Sequence, residues 1–423
     1  MKRLSPFLLI LVFVLLICPN SLVLAAEVPT PAASPGSSTS TTPAAAKDAS
    51  TRLRLALDWV WRTMDAEYYE PVSREVYEDF LRGYTAERLQ AMNEKSRQTE
   101  DFVHLGAGLL VQKLKKPTDR FSNFVPPKKA VEFKQEAYAA RADLGLEGRV
   151  HELGFELTRV QKHSPAFAEW MRAGDLVLAV DGRKIAGLPL EEVQELLKPE
   201  VGTSVRLEVR FMATGITADV TLTAGDYFAE TVLTPESGVP GVLILRIDHF
   251  NQKTGADAAE AINLFGAHNI RLLVVDLREN KGGPPLATRE VLSMFTEPND
   301  PLFIIARRSR QPVLLSSAFS DAHYKGPVSV LVSSKTASAA ETLAGVLREK
   351  LAARIYGQKT FGACYLKSMY DYDDGSTMLL VTSKTFYHNR KLVPEDGVLP
   401  DVPVAEGADA LVEALRPALP VKL

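Results

Sequence analysis

The sequence predicts an α/β multidomain protein: an N-terminal helical segment, a β-rich middle module and an α/β core. Three observations predict it. After Gly241, β-branched apolar runs alternate with helical stripes. Val242–Ile247, 272–277, Val328–Val332 and 378–381 read as strands, and 256–265, 286–295 and Ala339–Leu351 as helices. Earlier, Val205, Leu207, Val209 and Phe211 alternate with Arg206, Glu208 and Arg210, the pattern of a half-buried strand. Between residues 53 and 114 the apolar positions recur at helical spacing instead.

In chain order, residues 1–25 read as a secretory signal peptide. Lys2 and Arg3 precede an apolar run from Phe7 to Ile17, and Val23-Leu24-Ala25 offers a cleavage site. That run is short for a membrane span, which needs about 20 apolar residues. Export to the periplasm or cell exterior is expected, with a retained membrane tether as the alternative. Residues 26–50, rich in Pro, Ala, Ser and Thr, read as a disordered linker. Residues 51–128 read as helical: Leu55, Leu57, Trp59, Val60 and Met64 form one stripe, and Phe80, Tyr84 and Leu89 continue another. Tyr68-Tyr69-Glu70-Pro71 ends the first helix, because proline disfavours helix in the residue before it.

Composition narrows the function classes. The 423 residues are 46% hydrophobic and 24% charged, with a formal charge of -3, which gives no reason to expect nucleic acid or an anionic membrane as partner. No metal-ligand or phosphate-loop spacing occurs, so no cofactor is expected. Of two cysteines, Cys18 leaves with the signal and Cys364 remains as a single thiol.

The informative stretch is 328–342. Val328–Val332 reads as a buried strand, and Leu343, Val346, Leu347 and Leu351 begin a helix, so Ser338 falls where one ends and the other starts. The first N–H groups of a helix lack partners and carry partial positive charge, which suits a nucleophile that builds an oxyanion. A plain N-cap is the competing reading.

Thr336-Ala337-Ser338-Ala339-Ala340-Glu341, followed by Gly357-Gln358-Lys359-Thr360-Phe361-Gly362, resembles the active-site signature of the carboxyl-terminal processing peptidases (family S41), serine proteases with a serine–lysine dyad and an inserted PDZ domain. The resemblance implies a core of the crotonase/Clp-protease spiral type over 226–423 and a PDZ domain over 130–225. Asp276-Leu277-Arg278-Glu279-Asn280-Lys281-Gly282-Gly283 is similar to the family's oxyanion word, which implies donors from Gly282 or Gly283 together with Ala339. Glu395-Asp396-Gly397-Val398-Leu399-Pro400-Asp401-Val402 resembles a further structural word. Lys116-Pro117-Thr118-Asp119-Arg120-Phe121 sits where the family has a proline-containing turn.

Leu144-Gly145-Leu146-Glu147 resembles the PDZ loop that holds a peptide's terminal carboxylate. His163-Ser164-Pro165-Ala166 and the run Ala173-Gly174-Asp175 to Asp181-Gly182 match the rest of that module. Leu144, Gly145, Leu146, Leu190 and Val193 are the expected peptide-binding residues, with an extended peptide added as an edge strand.

One departure bears on the chemistry. The family's dyad lysine follows the glycine of Thr-Phe-Gly, and here that position is Ala363. Lys367, four residues on, is the first candidate for a relocated base. Four strand residues span roughly 13 Å, so the chain would need a bend there. Lys335 and Lys359 are the other candidates, Cys364 is a weaker substitute nucleophile, and His163 and His249 stand in no triad pattern. Two functions remain open: an exported serine endopeptidase cutting through Ser338, or a pseudopeptidase that binds peptides as a scaffold. Peptide or protein is the expected partner, and a second copy or an activating protein is a further partner class.

Overall fold

The computed structural model describes residues 49–95, 101–138, 140–308, 310–405 and 407–416. The expected signal peptide and nearly all of the expected linker lie outside these residues. No helix among the described residues is long and apolar enough to cross a membrane.

Four helices, Ala49–Glu67, Arg74–Gly83, Ala86–Lys95 and Phe102–Leu114, form the N-terminal segment. The first begins two residues inside the expected linker. Its buried face is Leu53, Ala56, Leu57, Val60 and Met64, at true three- and four-residue spacing. Leu55, expected in the stripe, is exposed, because its position falls on the opposite side of the helix. The helix ends at Glu67, just ahead of Pro71 as expected. This bundle packs on Met378, Leu380 and Val381 of the long strand Thr377–Tyr387.

The middle module is one antiparallel sheet in the order Leu146–His151, Gly154–Val160, Leu176–Val180, Ser204–Arg210, Thr217–Thr223, with Arg183–Lys184 beside the third strand. Ser204–Arg210 alternates in burial as its sequence requires. Leu146–His151 is an edge strand, paired on one side only.

The core carries two sheets. The first runs Val232–Leu233, Val242–Ile247, Leu272–Asp276, Val328–Val332, Arg354–Gly357, Val402–Pro403, parallel from the second strand onward. Thr254–Phe265, Pro285–Ser293 and Ala339–Leu351 supply its helices. Leu272–Asp276 and Val328–Val332 are wholly buried, which explains why their sequences are nearly all apolar. The second sheet is antiparallel and centres on Thr377–Tyr387, which pairs with Asn123–Val125, Pro301–Arg307 and Tyr365–Asp371. Ser338 follows a strand of the first sheet, and the turn expected to hold its base leads into the second.

Candidate active site

Ser338 follows the buried strand Val328–Val332 and a turn pinned from two directions. Thr336 Oγ1 donates to the Leu277 carbonyl at 2.8 Å and accepts from Ser333 N–H, and Ala337 N–H donates to the Asn280 carbonyl at 3.0 Å. The turn delivers Ser338 to the first position before the helix Ala339–Leu351 with φ 57° and ψ -120°. A residue with a side chain holds such a backbone only when its surroundings impose it, and functional sites are where this strain gathers. The side chain remains half-buried and open to a cleft.

Glu341, three residues on and fully buried, is the imposing group. One carboxylate oxygen, Oε2, accepts from both Ser338 N–H and Ala363 N–H at 2.7 Å each. The other accepts from Gly362 N–H at 2.8 Å and from the Thr360 hydroxyl. Four donors satisfy a buried charge that would otherwise be strongly unfavourable. They also tie the serine to the Thr360–Ala363 turn. Sequence reasoning quoted Glu341 as part of a word but gave it no role; its spacing as the third helical residue after Ser338 was the available signal.

The oxyanion candidates separate. Gly282 N–H already donates to Asn280 Oδ1 at 2.8 Å. Gly283 and Ala339 both line the cleft at Ser338. Gly282 is required for closeness: a Cβ there would stand 2.8 Å from Ser338 Cβ. Asn280, fully buried, holds this loop by a further bond from its side-chain N–H to the Ile247 carbonyl at 2.9 Å. The cleft is about 20 Å³, room for one water, and includes Leu366 and Thr385.

The candidate bases fall as follows. Ala363 is buried, with its N–H on Glu341. Lys335 pairs with Glu279 at 2.9 Å and Lys359 with Asp396 at 3.1 Å. Lys367 Nζ lies 5.8 Å from the centroid of the Phe121 ring. Its neighbour Leu366 lines the Ser338 cleft, and successive strand residues face opposite ways. A register shift does occur between Leu366 and Lys367, the irregularity such a relocated base would need. Lys367 keeps an exposed surface, yet the protein atoms crowding it desolvate the ammonium and lower its pKa. Cys364 is buried, which pushes its thiol up to about 12 and makes it a poor nucleophile.

Residues 241–404 match Peptidase family S41, and residues 156–210 match PDZ domain. Residues 241–404 therefore form a peptidase family S41 domain. Two relatives are similar to this chain along much of its length. A probable CtpA-like serine protease of Staphylococcus saprophyticus is 24% identical over 353 residues, 83% of this chain and 65% of that one. The chloroplastic C-terminal processing peptidase of Tetradesmus obliquus is 28% identical over 311 residues, 67% of this chain and 64% of that one. The chain thus spans less than two thirds of either relative's length. A solved photosystem II D1 C-terminal processing protease superposes with a TM-score of 0.48 and 24% identity, covering 86% of this chain and 96% of that one.

Within the PDZ domain, the expected peptide-binding residues divide. Leu144 and Val193 are packed into the module's core. Gly145, at φ 79°, donates its N–H to Asp143 Oδ1 at 2.7 Å. Leu146, half-buried, opens the edge strand, and Leu190 is exposed. One contact was invisible in the sequence. Asp257, buried near the start of helix Thr254–Phe265, meets Lys162 Nζ at 2.9 Å and His163 Nε2 at 3.0 Å, joining the PDZ domain to the core.

Proposed function

We propose that the protein is an exported serine endopeptidase of the carboxyl-terminal processing type, at rest with its base turned away from the nucleophile. The observation that carries this reading is Ser338 itself: a strained, accessible serine at a helix start, pinned by Glu341 beside the Gly283 and Ala339 N–H groups. Peptide would enter along the edge strand Leu146–His151 of the PDZ domain and reach the cleft as an extended segment.

In the reaction, Lys367 Nζ in its neutral form takes the Ser338 hydroxyl proton, and Oγ attacks the scissile carbonyl. Gly283 and Ala339 N–H hold the oxyanion, the lysine returns the proton to the leaving amine, and water then releases the acyl group. The lowered pKa of Lys367 favours this role, since a desolvated lysine loses its proton nearer neutrality. Reaching Ser338 requires the side chain to leave Phe121.

The test is casein cleavage by the mature protein beside Ser338→Ala and Lys367→Ala. Loss in both, with Lys367→Ala down about 10²–10⁴-fold, supports the reading. Cleavage abolished by Ser338→Ala and untouched by Lys367→Ala removes Lys367 as base. The second reading is a pseudopeptidase that binds peptides without cutting, favoured by Ala363 and by the distance of Lys367 from the cleft side of its strand. It predicts no cleavage by the parent and retained peptide binding.

A further inference from the structure

On the surface of the PDZ domain, Trp170 stands with 77% of its surface open. Its backbone holds φ 63°, left-handed space that a bulky side chain occupies only at a cost. The neighbours impose it. Trp170 N–H donates to the Phe167 carbonyl at 3.1 Å and Met171 N–H to the Ala166 carbonyl at 3.2 Å, while Met171 itself is fully buried. With Met171 packed inward, the indole is turned out to solvent. Glycine would suit this backbone better, so the fold alone gives no reason for tryptophan here.

Trp170 has exposed company. Arg172 places its guanidinium 4.4 Å from the centroid of the Phe167 ring and 5.6 Å from that of Trp170. Its side-chain hydrogen bonds go to backbone carbonyls, that of Met171 at 2.7 Å, and it pairs with no carboxylate among the described residues. Asp175, which is buried, fastens a second loop to this one. Its Oδ2 accepts Arg172 N–H at 2.8 Å and its Oδ1 accepts Met212 N–H at 2.9 Å. The second loop closes tightly, with Phe211 N–H on the Ile216 carbonyl at 2.8 Å, and leaves Met212 and Ile216 exposed. Asp175 thus spends both oxygens on backbone groups, and Glu169 is the other acid of the two loops. Together they present Phe167, Trp170, Met212 and Ile216 around an unpaired guanidinium.

The occupant follows from size and chemistry. A stable protein interface takes about 20–30 residues from each side, several times what two loop tips present. A bilayer needs far fewer. Indole settles at the level of the lipid headgroups, aliphatic and phenyl side chains reach the upper acyl chains, and arginine meets the phosphates. The sequence supplies a separate reason. Lys2 and Arg3 followed by the apolar run Phe7–Ile17 read as a segment that takes the chain to a membrane. One weak membrane signal holds a protein marginally, whereas two together hold it stably.

We propose that the Trp170 tip of the PDZ domain is a peripheral docking site for an anionic phospholipid surface, with Arg172 on headgroup phosphates and Trp170 between headgroups and chains. The site shares with the hydrolytic reading only the expected export of the chain, and it acts whether or not Ser338 cuts.

The experiment uses the protein without residues 1–25, which keeps every described residue. It is mixed at low salt with vesicles of phosphatidylglycerol and phosphatidylcholine, or of phosphatidylcholine alone. Co-sedimentation with the anionic vesicles and a blue shift of tryptophan emission are expected. Trp170→Gly relieves the left-handed backbone, so it should melt no lower than the parent. It should weaken partitioning at least about tenfold and abolish the shift, since Trp59 and Trp61 lie in the first helix. Arg172→Gln should weaken binding to the anionic vesicles about fivefold and leave phosphatidylcholine unchanged. Quenching of the parent's emission by chain-brominated lipid reads insertion on the unaltered protein. No co-sedimentation at about 1 mM lipid, unchanged partitioning in Trp170→Gly, or absent quenching overturns the proposal. Self-association of the parent that Trp170→Gly abolishes would assign the tip to a second copy of the chain and overturn it as well.

Discussion

Replacing Glu341 by glutamine removes one charge and almost no volume, so it isolates what the carboxylate does. As a carboxylate, Glu341 accepts four hydrogen bonds, two on each oxygen. An amide can accept on one side only. Whichever way it turns, two of the four donors then face an NH2 group. With the amide oxygen toward Thr360 and Gly362, the N–H groups of Ser338 and Ala363 are stranded; reversed, the Gly362 N–H is stranded, while the Thr360 hydroxyl can turn to accept from the amide. A buried donor left unsatisfied costs about 1–3 kcal/mol, so the turn should lose about 3 kcal/mol of local stability. Hydrogen exchange followed by mass spectrometry on the segment 357–366 reads this directly, because local opening free energy sets the exchange rate. The expected change is about a hundredfold faster exchange in Glu341→Gln, confined to this turn and the start of the helix Ala339–Leu351. Exchange unchanged from the parent would show that another group holds the Ser338 backbone, and the account of its strained φ would fall.

Cys364 should ignore Ellman's reagent at pH 8 in a Cys18→Ser chain and react fully once unfolded, since burial pushes its thiol up to about 12; rapid native labelling would contradict the packing described. Asp374 offers a pH-dependent contribution. Burial opposes its ionisation, but bonds from His104 and Ser376 more than offset this and hold the carboxyl at about 2. The folded value lies below the unfolded one, so the stabilisation is present above about pH 4 and disappears as pH falls towards 2. With the side chain 32% exposed, solvent screening leaves about 1 kcal/mol, and Asp374→Asn should flatten the acid limb of a melting-temperature profile by that amount. A double-mutant cycle of Lys162→Ala and Asp257→Ala, read by chemical denaturation, should return a coupling of about 1 kcal/mol; a coupling of zero would mean that the PDZ domain and core are held elsewhere.

What the sequence made legible was local. The strand Val328–Val332, the helix after Ser338 and the alternation of Ser204–Arg210 each declare themselves within a dozen residues, because one element's apolar pattern is enough to orient it. The first helix shows the limit of that method. Its seam runs through Ala56, too small to register as hydrophobic, and the larger Leu55 drew the eye to the wrong face. Pro301–Arg307 and Val313–Ser316 went unseen because both mix buried and open positions irregularly. Glu341's partners in the Thr360–Ala363 turn and Asp257's bridge depend on segments tens of residues apart, and no local pattern encodes which of these will meet.

The same distinction explains how Ser338 keeps its geometry with alanine at position 363. Glu341 grips position 363 through the backbone N–H and through nothing on the side chain. Any non-proline residue at 363 therefore supplies the bond that helps hold the carboxylate, and through it the strained serine. Gly282 and Gly283 are likewise needed for their lack of side chains, and Asn280 for bonds to backbone groups. Ser338 and the glycine loop beside it are thus fixed by a network indifferent to the side chain at 363, whereas in the proposed reaction proton removal depends on a single amine placed by side-chain packing. That frame stands whichever lysine serves as base. For that reason Ala363→Lys is the sharper companion to Ser338→Ala. Grafted onto an intact frame, the new amine should raise casein cleavage if position 363 still points at the serine, and a folded variant with no gain would show that the turn aims its side chain elsewhere.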